Sequence, residues 1–339
     1  MSMHDLSNKR VVIFGEMLVD VFGDSVVPGG APFNVARHLA AFGIDVRLIS
    51  RIGADAHGDT LKRELERFGL GAAGVQCDAS LPTGVVKVWQ DKEDTIGHRF
   101  EILRNQAYDA IDGMEASALL KTVHADLVYH GSLAQRAAPS RAALAATLSA
   151  VKQGNPSAVH FVDLNLRQDG GATEDWRKLA RGATALKVSE EELFVICASL
   201  GADSAGAAGA PIQELGRMAG AVLHAAPALQ LLVVTLGSRG CLACPRQGKA
   251  IYAETRGDIE VADTVGAGDA FSSIMILGML ALWPLAQTVE RANAFAAAIC
   301  GIRGSVPQDL RFYRQWVEAW GLDAPGTMDA GGANRTIGG

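Results

Sequence analysis

The first strongly patterned stretch, Arg10 to Phe14, is a short β-branched run, and an Ala-rich stretch with helical spacing follows from Asn34 to Phe42. The same alternation repeats along the chain. Strands are predicted at Asp45 to Ile52, Leu127 to His130, Ala158 to Asp163, Leu186 to Val188 and Leu231 to Thr235. Helices are predicted at Gly58 to Phe68, Ser140 to Lys152, Glu174 to Arg181, Glu190 to Ser199, Pro211 to His224 and Phe271 to Trp283. Strands alternating with helices at this pitch predict a mainly parallel sheet covered by helices on both faces, an α/β fold whose ligands bind beyond the carboxyl ends of the strands.

Two segments depart from this rhythm. Met17 to Val27 and Thr83 to Leu103 alternate apolar and polar residues around turn residues such as Asp91 to Gly97, and read as strands paired outside the main sheet. Folded over the strand ends they would form a lid, built from about 16–28 and 83–108, that excludes water from a reaction beneath it. The expected organisation is one α/β domain over 1–320. The Gly- and Ala-rich residues 321–339 read as a flexible tail.

Composition narrows the function classes. A chain of 339 residues, 49% hydrophobic, can bury a large core. Its net charge of −6 gives no basic excess for nucleic acid. The longest apolar run, Ile274 to Trp283, is too short to span a bilayer, and Met1 to Arg10 lacks the apolar centre of a signal peptide. Five scattered cysteines suggest reduced thiols and a cytoplasmic location, with Cys241 and Cys244 as structural residues of a strand. No nucleic-acid or membrane partner is expected.

Candidate chemistry concentrates in Asp263-Thr264-Val265-Gly266-Ala267-Gly268-Asp269-Ala270-Phe271. Two glycines at a helix entrance let backbone N–H groups approach an anion, and Asp269 follows in the first turn. An anion hole beside a carboxylate is what phosphoryl transfer to a hydroxyl needs: donors for the moving phosphate and a base for the alcohol proton. No lysine follows as in a Walker A loop, and Phe271 stands where a dinucleotide fingerprint needs its third glycine. A glycine turn with an ordinary N-terminal aspartate is the simpler alternative. Upstream, Pro28-Gly29-Gly30-Ala31-Pro32-Phe33-Asn34-Val35-Ala36 pairs two glycines with Asn34 at a helix start, and Asp20 lies just past the first strand, placed for sugar hydroxyls or for a solvated turn.

These two segments in this order, about 235 residues apart, resemble the two signatures of the ribokinase-like sugar kinases, the phosphofructokinase-B family. The similarity runs from about residue 10 to 310. Gly29-to-Ala36 and Gly131-Ser132-Leu133 most resemble the bacterial fructokinase branch. The resemblance implies a three-layer α/β/α fold with a mainly parallel central sheet and a small β-lid, and ATP-dependent transfer of a phosphoryl group to a sugar, with fructose the favoured acceptor. It implies Asp269 as general base and Gly266, Ala267 and Gly268 as anion hole. Asp20, Gly30 and Asn34 would hold sugar hydroxyls, and Phe100 and Arg104 would close over the substrate. Asp163-Leu164-Asn165-Leu166-Arg167 is similar to the Asp-x-Asn-x-Arg segment of fructokinases and ketodeoxygluconate kinases, where Asn165 and Arg167 would face the nucleotide phosphates. Thr235, Gly237 and Gly240 resemble the nucleotide-side turn and Asn293 the adenine neighbour.

Ser189 stands on the ATP side where many members have asparagine in an Asn-x-x-Glu segment. Glu192 keeps the glutamate place beside magnesium, held through water, although Glu190 to Glu192 also suit a solvated helix N-terminus. A monovalent cation such as potassium would sit near Asp263 and Ser305 on backbone carbonyls. The implied ligands are ATP, Mg²⁺ and a small sugar, and a homodimer through the β-lid is among the expectations. A ketodeoxygluconate kinase, using Arg104 and Arg167 against the substrate carboxylate, is the nearest alternative. A nucleoside kinase would have a different sugar-side motif. A non-catalytic sugar-binding regulator would have no use for the base, and a nicotinamide-dependent dehydrogenase would need a glycine fingerprint that Gly15-Glu16-Met17 does not supply.

Overall fold

A computed structural model of the chain describes Leu6 and residues 8–90, 98–166, 175–201, 209–255 and 260–322, with the backbone alone at 90 and 98–100. Its strands are β1 (Arg10–Phe14), β2 (Leu18–Phe22), β3 (Ser25–Gly29), β4 (Asp45–Gly53), β5 (Val75–Asp78), β6 (Gly84–Gln90), β7 (His98–Ile102), β8 (Leu127–His130), β9 (Val159–Asp163), β10 (Ala185–Ser189), β11 (Leu231–Thr235), β12 (Cys241–Pro245) and β13 (Ile251–Ala253). Its helices are α1 (Ala31–Ala41), α2 (Ala56–Arg67), α3 (Gly113–Leu120), α4 (Ala138–Gly154), α5 (Trp176–Leu179), α6 (Glu190–Ser199), α7 (Ile212–Ala225), α8 (Ala267–Leu280), α9 (Leu285–Cys300) and α10 (Arg314–Trp320).

Among the described residues nine strands form the main sheet, in the order β13-β12-β11-β10-β9-β8-β1-β4-β5. Pairing is parallel except at β12 and β13, which return antiparallel at one edge. Alternation along the strands divides the core. Val11 and Ile13 pack with α1, α8 and α9 on one face, and Val12 and Phe14 pack with α3 and α4 on the other. Towards the β11 side, Leu186, Val188, Leu232 and Val234 cover the second face together with α6 and α7. Continuous apolar runs in the central strands follow from this two-sided burial.

The remaining strands form a separate sheet, β3-β2-β6-β7. One of its faces buries Leu18, Val86 and Val88 against Tyr108 and Leu133. The two aberrant segments therefore pair with each other outside the main sheet, and the Asp91 to Gly97 turn between β6 and β7 lies outside the described residues. The residues read as tail are described only at Gly321 and Leu322, and Leu322 is buried in the main core.

Two local expectations change. Asn34 does not start a helix. α1 begins at Ala31, where Gly30 takes φ +103° and Pro32 fits the first turn, so Asn34 lies one turn inside and is buried. Likewise α8 starts at Ala267, four residues before Phe271, and places Gly268 and Asp269 in its first turn. Cys241 and Cys244 lie on β12, three residues apart and hence on opposite faces of the sheet. Burial pushes their thiols up to about 12 and about 11, as expected of structural cysteines.

A titratable pair joins the neighbouring strands β8 and β9. His130 Nε2 and His160 Nε2 are 2.8 Å apart and buried. One proton suits this contact, whereas a second would set two N–H groups face to face. Burial lowers both histidines, His130 to about 3, and the buried His38 also falls to about 3. In the unfolded chain these groups take up protons below about pH 6.5, so stability falls as the pH drops from about 6.5 towards 3. His130→Gln, which does not titrate, should reduce the slope of unfolding free energy against pH by about 1.4 kcal/mol per pH unit between pH 4 and 6. Urea titrations across that range measure it, and an unchanged slope would show that His130 is not held neutral in the fold.

Candidate active site

The carboxyl ends of β1, β9, β10 and β11, the starts of α1 and α8, and the inner face of the second sheet enclose a cavity of about 810 Å³. Its lining includes Asp20, Gly30, Asn34, Asn165, Ser189, Glu192, Thr235, Gly266, Gly268 and Asp269. The two sequence signatures thus meet at one place.

The glycines have definite steric reasons. At Gly29 a Cβ would lie 2.2 Å from the Asp20 carboxylate, and at Gly30 it would lie 2.6 Å from the Glu16 carbonyl. Gly266, the residue before α8, has φ +81°, and a Cβ there would lie 2.3 Å from the Ser305 Cβ. Only glycine fits a left-handed backbone pressed against a second loop. That loop is also tied electrostatically: Asp263 accepts from Val265 N at 3.0 Å and from Gly304 N at 3.1 Å. The N-terminal N–H groups of α8 and its dipole therefore border the cavity at a fixed position.

Asp269, on α8, accepts a 2.7 Å hydrogen bond from Asn34 Nδ2. Across the cavity floor Asp163 Oδ2 accepts from Lys187 Nζ at 2.6 Å, Ser272 Oγ at 2.9 Å and the Tyr129 hydroxyl at 3.3 Å. Burial, with Asp163, Asp269 and Glu16 nearby, raises the Tyr129 phenol well above its ordinary range. Lys187 lines the cavity, and its Nζ is 3.4 Å from where a Gly268 Cβ would stand.

Glu192 forms a capping box with Ser189: Ser189 N donates to Oε2 at 2.7 Å, and Glu192 N donates to Ser189 Oγ at 3.2 Å. The other oxygen accepts from Leu166 N. Burial raises its pKa, opposed by these two backbone donors. The solvated reading of this helix start fails at Glu190, which is buried and paired with Arg239 at 2.6 Å. Asn165 lines the cavity with φ 42°, a left-handed conformation that asparagine tolerates, and its carbonyl accepts from Ser132 Oγ.

Other expected residues lie elsewhere. Gly237 and Gly240 turn the chain from β11 to β12, and buried Asn293 donates to the Ala253 carbonyl at 2.8 Å; none of the three lines the cavity. Arg104 is exposed in the turn after β7 and is likewise absent from the lining. Phe100 stands opposite Val88 on β7, with its side chain outside the described residues, and Arg167 lies outside them altogether. Among the described residues no cluster of three or more His, Cys, Asp or Glu side chains is arranged to hold a metal, and no helix is long and apolar enough to cross a membrane.

The sequence reading gave no role to Glu16, Asp163, Lys187 or Arg37. A charged residue ending a mostly apolar strand, as Asp163 does, or interrupting the apolar run of a buried strand or helix face, as Lys187 and Arg37 do, is the signal that could have found them.

Comparison with known proteins agrees with this architecture. A fructokinase of Klebsiella pneumoniae is 30% identical over 285 residues, covering 81% of this chain and 85% of its own. The structure of a sugar kinase from Pyrococcus horikoshii superposes with TM-score 0.73 at 25% identity, over 93% of this chain and 99% of that one. A double-mutant fructokinase of Vibrio cholerae, bound to fructose, ADP and potassium, gives 0.69 at 22% identity over 88% and 94%. A 2-dehydro-3-deoxygluconokinase of Thermotoga maritima gives 0.76 at 19% identity over 92% and 100%. At those last two identities the likeness is one of fold. The profile of the pfkB family carbohydrate kinases matches residues 3–310, so the chain belongs to that family and is a phosphotransferase acting on a sugar hydroxyl.

Proposed function

We propose that this protein is a fructokinase, transferring the γ-phosphate of ATP to a fructose hydroxyl with Asp269 as general base. The observation that carries this reading is the meeting, in one cavity, of Asp269, the Gly266–Gly268 turn and the sugar-side residues Asp20, Gly30 and Asn34. Asp269 would take the hydroxyl proton while the Gly266, Ala267 and Gly268 N–H groups meet charge developing on the phosphate. Lys187, neutralised by Asp163 until phosphate arrives, adds a cation on the same side. Asn165, Ser189 and Thr235 would face the nucleotide, with Arg167, Gly237, Gly240 and Asn293 as further parts of the proposal. Phe100 and Arg104 would close with the second sheet and exclude water. A homodimer through this sheet is supported by Val26 and Trp89, exposed on its outer face.

A carboxylate oxygen is a ligand type that Mg²⁺ accepts: Glu192 would hold the ion through water, and the ion would neutralise charge on the transferring phosphate. A monovalent cation near Asp263 and Ser305 is supported by the potassium of the Vibrio fructokinase. The Ser305 carbonyl already contacts His38 Nε2 at 3.2 Å, so neighbouring carbonyls of the two loops would supply most ligands.

The charge of the lining favours a neutral sugar over a sugar acid. Glu16, Asp20, Asp163, Glu191, Glu192 and Asp269 face Lys187 as the one cation among the described lining residues, and Lys187 is committed to Asp163. A substrate carboxylate near Asp20 and Glu16 would meet like charge. The Klebsiella relative's name also favours fructose.

A coupled assay with ATP and Mg²⁺ should give kcat/KM at least about tenfold higher on fructose than on ketodeoxygluconate, the discrimination expected from about 1.4 kcal/mol of differential transition-state binding. The reverse order would move the substrate assignment while leaving the base intact. Asp269→Asn should lower kcat by about 10²–10⁴ and leave ligand affinities within a few-fold; turnover near wild type would remove Asp269 as the base, and absence of turnover in the wild type on every sugar would favour a binding regulator.

The two loop glycines should behave differently on substitution. Gly266→Ala should cost about 1–3 kcal/mol of stability, because it combines a left-handed φ with contact against Ser305. Gly268→Ala should fold normally yet lose kcat rather than fructose affinity, because its Cβ enters the space beside Lys187. Thermal melts and steady-state kinetics separate the cases. A Gly268→Ala enzyme with normal kcat and only a raised KM for fructose would place the anion site elsewhere.

A further inference from the structure

Asn34 is buried, and its amide has fixed polarity. Oδ1 accepts from Ser305 Oγ at 3.1 Å and from Arg37 Nη2, leaving Nδ2 to donate to Asp269 Oδ2. Arg37 has no acceptor to offer. If the amide turned over, its NH₂ would face the guanidinium, and its carbonyl oxygen would face the Asp269 carboxylate. Both contacts would be repulsive in a buried site.

Arg37 is itself immobilised. Nη2 donates to the Pro28 carbonyl at 3.1 Å, Nη1 pairs with Glu64 on α2 at 3.2 Å, and the guanidinium lies over the Phe33 ring at 4.5 Å. Glu64 is held in turn by Arg67 at 2.9 Å. Ser305 is anchored from the C-terminal side: its carbonyl contacts His38 Nε2, and His38 Nδ1 is 2.8 Å from the Tyr313 hydroxyl. Because burial keeps His38 neutral, Nε2–H donates to the carbonyl while Nδ1 accepts from tyrosine.

We propose that Arg37 and Ser305 are positioning residues for the phosphoryl-transfer reaction: by locking the Asn34 amide they hold one oxygen of Asp269 in place and so orient the carboxylate towards the sugar hydroxyl. The inference rests on the reading of Asp269 as general base. Three supports converge on one amide: α2 through Glu64 and β3 through the Pro28 carbonyl, both acting on Arg37, and the loop after α9 through Ser305. A purely structural arginine would need the first two alone. The charged and titratable groups around this part of the site are Glu16 after β1, Asp20 on β2, Tyr129 on β8, Asp163 on β9 and Lys187 on β10, with Glu64 behind Arg37.

The test compares Arg37→Met, Arg37→Lys, Ser305→Ala, Asn34→Ala and the Asn34→Ala/Arg37→Met double variant with wild type and Asp269→Asn. Readouts are kcat on fructose and the pH profile of kcat/KM. A hydrogen bond to the ionised carboxylate favours the charged form. Loosening the amide should therefore move the acidic limb to higher pH by about one unit in Arg37→Met, with kcat about tenfold lower and KM for ATP within about threefold. Ser305→Ala should shift the limb the same way by less, and Arg37→Lys should recover part of kcat. In the Asn34→Ala background, Arg37→Met should add nothing further. An unmoved limb in both Arg37→Met and Ser305→Ala, or additive losses in the double variant, would overturn the proposal. If Arg37→Met does not fold, Ser305→Ala and Arg37→Lys decide on the same criteria. If Asp269→Asn keeps near-wild-type turnover, the base reading falls instead, and the two failures are distinct.

Discussion

The 2.7 Å hydrogen bond from Asn34 to Asp269 joins side chains 235 residues apart, and the geometry of the site follows from making it possible. It requires the first turns of α1 and α8 to lie side by side at the strand ends. At the two helix starts there is no room for a Cβ either, at Gly30 against the Glu16 carbonyl or at Gly266 against Ser305. Both glycines also take left-handed backbone conformations. Conformational freedom and close approach are thus needed at the same two positions. The packing of α1 against α8 within the main core supplies the burial that holds the arrangement together.

Asp163 organises the opposite side of the cavity. One carboxylate oxygen gathers Lys187, Ser272 and Tyr129, so that β8, β9, β10 and α8 are fixed relative to one another by a single charged group. A buried ion pair of this kind adds little net stability, since desolvation offsets attraction. Its value lies in geometry: the pair holds the Lys187 ammonium beside the first turn of α8, 3.4 Å from where a Gly268 Cβ would stand. The rest of the described lining is mostly anionic, with Glu16, Asp20, Glu191, Glu192 and Asp269 around this one cation.

The second sheet completes the enclosure. Leu18, Asp20, Val86 and Ile102 cover the cavity from a layer with its own small core around Tyr108. Arg136 fastens the segment after β7, bonding Asp109 with both Nε and Nη2 at 2.8 Å. The cover is therefore a built element, attached to the body through Asp109 and Arg136 and able to exclude water from a transferring phosphate.

Much of this was written locally. Period-2 and period-3.6 patterns marked the central strands and many of the covering helices, though not α3, α9, α10, β5 or β13, and their alternation indicated a mainly parallel sheet; even the two segments that broke the rhythm did so because they pair elsewhere. The Gly-Gly-to-Asn34 and Gly266-to-Asp269 runs marked the residues that share the cavity. Helix boundaries were less legible. α1 starts at Ala31 rather than Asn34 because Gly30 can take a conformation no other residue takes cheaply, a fact that depends on Glu16 across the turn. A solvated Glu190 stayed open as an alternative because sequence spacing does not reveal Arg239, 49 residues away. Arg37, Ser305, Lys187 and Asp163 acquire their parts only through partners distant in sequence. Backbone propensity and burial periodicity are properties of neighbouring residues, and the sequence carries them directly. The direction of a buried amide, the partner of a buried charge and the fit of a missing Cβ are properties of segments brought together by the core, and only the tertiary structure decided them.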